Sequence, residues 1–187
     1  MGQPHWFYRN DDDWNAIVQR LKLTPCPHCH IVGALIRHGS LYGFDDACPP
    51  RKTRRARRIF CSNRQVRPGC GRTVSVWLAD KIRRLSFSAG TLWHFLQRAV
   101  VAGIAAASHA STCSRSDRTW QRLWKRFDLG QGHIRTTLPG RCPPPPPPAE
   151  PRRRPLAAHV LAHLQAAFPN TDSPIAAFQW TLHTFFV

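Results

Sequence analysis

Acidic side chains are scarce in this chain of 187 residues: 10 Asp+Glu stand against 27 Lys+Arg, for a net charge of +17. After residue 130 the only acids are Glu150 and Asp172. Metal-assisted phosphoryl chemistry needs carboxylates converging on its ions, and so sparse a set offers no credible group, so no enzyme is expected. Long apolar runs are also lacking. No stretch approaches the ~20 apolar residues of a membrane span, which argues against an integral membrane protein. The first residues, MGQPHWFYRNDDDW, lack the basic start and apolar run of a secretory leader. Trp6 stands where myristoylation of Gly2 would want Ser or Thr. Methionine occurs once. A cytoplasmic location is expected.

What is abundant is positive charge, proline and cysteine. The chain holds 17 prolines, 7 tryptophans and 7 cysteines, with a pI near 11.2. Such a cationic excess repels itself and attracts polyanions, so nucleic acid is the expected partner. The basic residues do not lie opposite a broad apolar helical face, which argues against a membrane surface. In a reducing compartment seven cysteines suit metal ligation better than disulfides.

Four of them have ligand spacing. Cys26 and Cys29 form a C-x2-C turn; Cys61 and Cys70 follow after 31 residues as a wider C-x8-C pair. A C-x2-C turn aims two thiolates at one point, as a tetrahedral zinc site requires. The wider pair can loop out and return, because Asn63, Pro68 and Gly69 are turn formers. Four sulfurs leave no open position, so a structural Zn2+ is expected. His28, His30, His38 and Cys48 are alternative ligands in the same stretch. A redox C-x-x-C is disfavoured, because no βαβ pattern surrounds it. Cys113 and Cys142 have no partner in sequence and read as ordinary thiols.

The expected fold is α+β, in five parts: an N-terminal helix (1–23), a zinc ribbon with a basic loop (24–78), a helical domain (79–140), a Pro/Arg-rich linker (141–155) and a C-terminal helical segment (156–187). In the first part, Asn10 or Asp11 caps a helix that three acids start, and Trp14, Ile17, Val18 and Leu21 make one apolar stripe. The ribbon offers two short strands around a His38-Gly39 turn, then RRARRIFC and RTVSVW. Residues 45–58 read as a loop without regular structure before about Arg57. The run RKTRRARR puts six cations in eight residues. As a phosphate clamp it would release counterions, with Arg51, Lys52, Arg54, Arg55, Arg57 and Arg58 as contacts and Arg64, Arg67 and Arg72 extending the surface. Phe60 and Trp77 are candidates for stacking on single-stranded RNA.

The helical part shows an amphipathic helix (89–101), a short Ala-rich helix (104–110), a turn, and RSDRTWQRLWKRFDLG, which Ser116 caps and Gly130 terminates. That order is the order of a helix-turn-helix unit. Trp120, Leu123, Trp124 and Phe127 share one face; Arg115, Arg118, Gln121, Arg122, Lys125 and Arg126 take much of the rest. In a major groove, Arg can take guanine and Gln adenine. The six prolines 143–148 favour a polyproline II rod of roughly 19 Å. The aromatic C-terminus needs a surface to pack on and is a candidate for partner binding or oligomerisation.

CPHC…RRIFCSNR…GCGRTVSVW resembles the zinc ribbons that begin many bacterial insertion-sequence transposases and related phage regulators. SRSDRTWQRLWKRF is similar to the helix-turn-helix that follows in such proteins. The resemblance covers roughly residues 24–130 and implies cytoplasmic binding of transposon-end or operator DNA. It departs from the family pattern in one respect: those transposases carry a long catalytic domain, and only about 57 residues follow here. The expectation is a zinc-dependent, non-enzymatic protein that binds duplex DNA. An RNA-binding zinc-ribbon protein, a non-catalytic transposase fragment or subunit, and a protein-interaction adaptor are the alternatives.

Overall fold

The computed structural model describes residues 6–64, 68–111, 115–147 and 154–187. Among the described residues, a mixed four-stranded sheet and six helices make an α+β fold. β1 (Trp6–Tyr8), α1 (Asp11–Arg20), β2 (Leu35–Phe44), β3 (Lys52–Cys61) and β4 (Thr73–Leu78) come first. α2 (Ala89–Ala102), α3 (Ile104–His109), α4 (Asp117–Thr137), α5 (Pro155–Ala167) and α6 (Pro174–Leu182) follow, with a 3-10 turn at Leu138–Gly140.

The sheet runs β1-β4-β3-β2. β3 pairs antiparallel with both β2 and β4, and β1 closes the far side parallel to β4, Trp6 opposite Val76. One sheet face packs under α1. The Asn10 side chain accepts from the Asp13 amide, and the acids of the first turn lie where the helix dipole favours them. Trp14 and Leu21 are buried with Tyr8, Leu35, Ile59 and Val76.

Two expectations in this half are corrected. The chain does not turn at His38-Gly39. β2 is one strand of 10 residues whose register against β3 skips at His38, a bulge that Gly39 accommodates at φ 141°. The basic run is not a loop: strand starts at Lys52, directly after Pro49-Pro50 and Arg51. An extended backbone sends neighbouring cations to opposite faces, which eases the repulsion along the run. Arg54 and Arg57 both reach Asp11 on the α1 side. Arg55 is the extra residue in a second register skip and turns the other way.

The helices share one apolar core. Phe87, Phe95 and Trp120 cluster, with Phe95 and Trp120 stacked at 4.5 Å, and Phe127, Phe178 and Phe186 continue the layer. α4 does not stop at Gly130. Phe127, Gln131, Ile134 and Leu138 prolong its buried stripe, and that burial outweighs the roughly 1 kcal/mol a mid-helix glycine costs against alanine. The aromatic C-terminus finds its surface within the chain: Phe185 packs edge-on against Phe7 and Trp77, and Phe186 is buried. The described part of the proline tract lies along α5. His159 Nε2 donates to the Pro145 carbonyl at 2.8 Å and His163 Nε2 to that of Cys142 at 2.9 Å. Pro148 and residues 149–153 of the expected linker lie outside the described residues.

Three polar contacts join sheet and helices. Arg55 is buried and donates to the carbonyls of Phe44, Ile82 and Leu85. The Gln179 amide of α6 donates to Ala79 and accepts from Phe186. Asp46 accepts from the Ser88 amide at 2.8 Å and the Thr91 hydroxyl at 2.5 Å, at the start of α2.

Candidate metal centre and nucleic-acid interface

The ligand atoms of Cys26, Cys29, Cys61 and Cys70 all lie within 4.8 Å of one another. Cys26 Sγ is 3.8 Å from Cys70 Sγ, and Cys29 Sγ is 3.7 Å from Cys61 Sγ. Disulfide sulfurs would stand about 2.05 Å apart. A tetrahedron with metal–sulfur bonds of about 2.3 Å has edges of about 3.8 Å, so the spacing fits four sulfurs around one metal ion.

Each pair is shaped by its backbone. At the first, the His30 amide donates to the Cys26 carbonyl at 2.8 Å and the Cys26 amide to Ile31 at 3.0 Å. The turn puts His30 at φ 59° and points the His28 amide at Cys26 Sγ. The second pair explains its wide spacing. Cys61 ends β3 and Cys70 lies just before β4, so the antiparallel register closes the gap that sequence distance leaves open. Cys61 and Arg72 are joined by a backbone hydrogen bond of 2.9 Å, and the Cys70 amide points at Cys61 Sγ from 3.3 Å. Gly69 and Gly71 are required here. A Cβ on Gly69 would occupy the place of the Ser62 carbonyl, and Gly71 sits at φ 72°.

Among the described residues, His28, His30, His38 and Cys48 do not join this cluster. His38 lies instead over the Phe60 ring at 5.3 Å, and Cys48 is exposed. Cys142 is partly buried, and Cys113 lies outside the described residues. The Ile31 amide pulls the Cys29 thiol down to about 7, while burial pushes Cys61 up to about 12. Without a cation the buried Cys61 stays neutral at pH 7. A metal ion supplies the charge that lets it ionise.

The expected basic contacts separate into groups. Arg51, Lys52, Arg64 and Arg72 are exposed, and Arg54 and Arg58 are half-buried. Arg57 is held inward, paired with Asp11 and lying over Trp14 at 5.0 Å. Arg55 is a correction: only 8% exposed, its guanidinium is committed to carbonyls and is withdrawn from solvent. Arg67 lies outside the described residues.

On α4 the two faces divide cleanly. Trp120, Leu123, Trp124 and Phe127 are buried, and Arg118, Gln121, Arg122 and Lys125 are exposed at i, i+3, i+4 and i+7. Arg115 is half-buried against the Phe87 ring and Arg126 is half-buried. Asp117, at the start of the helix, accepts from Ser108 of α3 and ties the two helices together. Trp77, a candidate for stacking on RNA, is covered by Phe185.

The sequence pattern does not single out Tyr42 and Phe44. They are 57% and 61% exposed on β2, and their alternation around Gly43 becomes meaningful only because β2 runs unbroken through it. Among the described residues no helix is long and apolar enough to cross a membrane. Comparison with family models, curated proteins and solved structures finds no match to this chain.

Proposed function

We propose that this chain is a non-enzymatic DNA-binding protein whose sheet is fixed by a structural zinc ion and whose α4 enters the major groove of duplex DNA. The observation that carries the reading is the exposed stripe Arg118, Gln121, Arg122 and Lys125, set directly opposite the buried aromatic stripe of the same helix. The aromatic face anchors the helix rigidly. The polar face then offers Arg for guanine O6/N7 and Gln for adenine N6/N7. Cys26, Cys29, Cys61 and Cys70 would hold the zinc ion, which supplies a closed cross-link and no open coordination site. That cross-link ties the Cys26–Cys29 turn to the end of β3 and the approach to β4. It thereby holds Arg58, Arg64 and Arg72 on a stiff surface suited to phosphate. The net charge of +17 favours a polyanionic partner, and the resemblance to insertion-sequence zinc ribbons is in keeping with it.

Selection of bound sequences from random duplex DNA by the zinc-loaded chain tests this. A defined motif should emerge and should disappear in the Arg118→Ala/Gln121→Ala variant. Uniform recovery of all sequences would leave only non-specific affinity and would defeat the base-reading assignment.

A further inference from the structure

The β2–β3 pair carries a second surface that duplex binding does not use. Tyr42 and Phe44 project from the same face of β2, because a strand alternates its side chains and Gly43 faces the other way, under the Arg55 stem. Their register partners on β3 are Arg54 and Lys52. Two solvent-facing rings thus stand about 6.8 Å apart along the strand, with a cation beside each. β2 is also the outer strand of the sheet, so nothing in the sheet crosses in front of it.

Exposed aromatic residues on an outer strand would ordinarily invite pairing with a second copy. Here self-association would set two chains of +17 edge to edge, with Arg51, Lys52 and Arg54 one strand behind each paired edge, and such like-charged surfaces repel. The same charges favour a polyanion. A duplex hides the faces of its bases in the stack and offers only their edges, so the rings would find nothing flat to meet. A single strand offers base faces and phosphates together, and stacking on aromatic side chains beside a cationic track is how such strands are held.

We infer that Tyr42 and Phe44, flanked by Lys52 and Arg54, form a stacking platform for single-stranded nucleic acid. The platform is separate from α4, so its failure and the failure of duplex reading are seen on different probes with different variants.

The test measures anisotropy of labelled oligo(dT), oligo(U) and a mixed-sequence duplex with the full zinc-loaded chain. Tyr42→Ala/Phe44→Ala should bind the single strands about tenfold or more weakly and the duplex within about twofold of wild type, the size expected from losing two stacking contacts. Tyr42→Trp/Phe44→Trp should retain single-strand binding. Equal losses on oligo(dT) and oligo(U) assign a platform indifferent to the sugar; loss on one alone assigns it to that polymer. Crosslinks from a 5-bromouracil-substituted strand to the wild-type chain should fall on Tyr42 or Phe44, a readout that does not depend on any variant folding. The inference is overturned if wild type ignores single strands, if the alanine variant binds them as wild type does, or if it loses duplex equally. It is also overturned if the crosslinks fall elsewhere, or if the variant's only change is loss of self-association or of binding to anionic vesicles.

Discussion

Arg55 lies across Gly43, so close that a methyl group on the glycine would come within 2.6 Å of the Arg55 Cδ. The glycine makes room for a buried guanidinium that binds the Phe44, Ile82 and Leu85 carbonyls and so joins the sheet to the segment leading into α2. Removing the donor leaves those carbonyls bare, at about 1–3 kcal/mol for each one buried. Arg55→Ala should therefore cost about 3–5 kcal/mol in urea unfolding. Gly43→Ala should cost about 1–3 kcal/mol by overpacking. The two should not add. With Arg55 already removed, the alanine at 43 meets no obstacle, and a double-mutant cycle should return a coupling close to the whole single-mutant cost of Gly43→Ala.

The metal centre predicts a selective collapse. Cys61→Ser and Cys70→Ser should each abolish stoichiometric zinc, whereas Cys48→Ser should leave one zinc per chain by mass spectrometry under native conditions. Chelation should strip hydrogen-exchange protection from β3, β4 and the 26–31 turn first. The helical core, with its own buried aromatic residues, should hold longer. Because burial pushes Cys61 up to about 12, a metal ion bound there would have to displace its proton at pH 7. Calorimetry in buffers of different ionisation enthalpy should show net proton release, and affinity should rise with pH.

Much of this was legible in the sequence, for reasons that separate local from distant signals. The C-x2-C turn, the α1 cap at Asn10 and the Trp120/Leu123/Trp124/Phe127 stripe are local, and each stands where its pattern indicates. Gly130 misleads because a glycine in isolation marks a stop, while the burial that carries α4 through it comes from distant Phe178 and Phe186. RKTRRARR misleads in the same way: its self-repulsion is visible locally, but Asp11 and the sheet register that answer it are not. The C-x8-C spacing looks anomalous until the antiparallel pairing of β3 and β4 brings its ends together. Tyr42 and Phe44 stay hidden because exposure is decided by what fails to cover a strand.

Acid should loosen the join between sheet and helices at Asp46. Burial raises its carboxyl, but hydrogen bonds from Thr91 and Ser88 outweigh that, and its ionisation lies below the ordinary carboxylate value. The stability it adds is present above the unfolded value, about 3.9, and is lost as pH falls through the folded one. Asp46→Asn should cost about 1 kcal/mol at pH 7, the weight of a capping contact. The gap between variant and wild type should close as the pH is lowered through that range. A gap unchanged between pH 7 and pH 2.5 would mean that the charge on Asp46 contributes nothing to the join.

On α4 the two faces should fail in different ways. Trp120 is fully buried between Phe87 and Phe95, so Trp120→Ala should cost about 3–5 kcal/mol of stability and remove binding only by unfolding the helix. Arg118, Gln121 and Lys125 touch solvent, and their alanine variants should melt within about 0.5 kcal/mol of wild type. Their effects should then separate on DNA. A residue reading a base loses about 1–3 kcal/mol on the selected site and relaxes preference at one position; a residue on phosphate weakens all sequences alike and lowers the salt slope by about 1. Arg118 and Gln121, in the first turns of the helix, should behave as readers and Lys125 as a phosphate contact. If all three variants weakened every duplex equally, α4 would be an electrostatic rail lying along the backbone, and sequence preference would have to come from another surface of the chain.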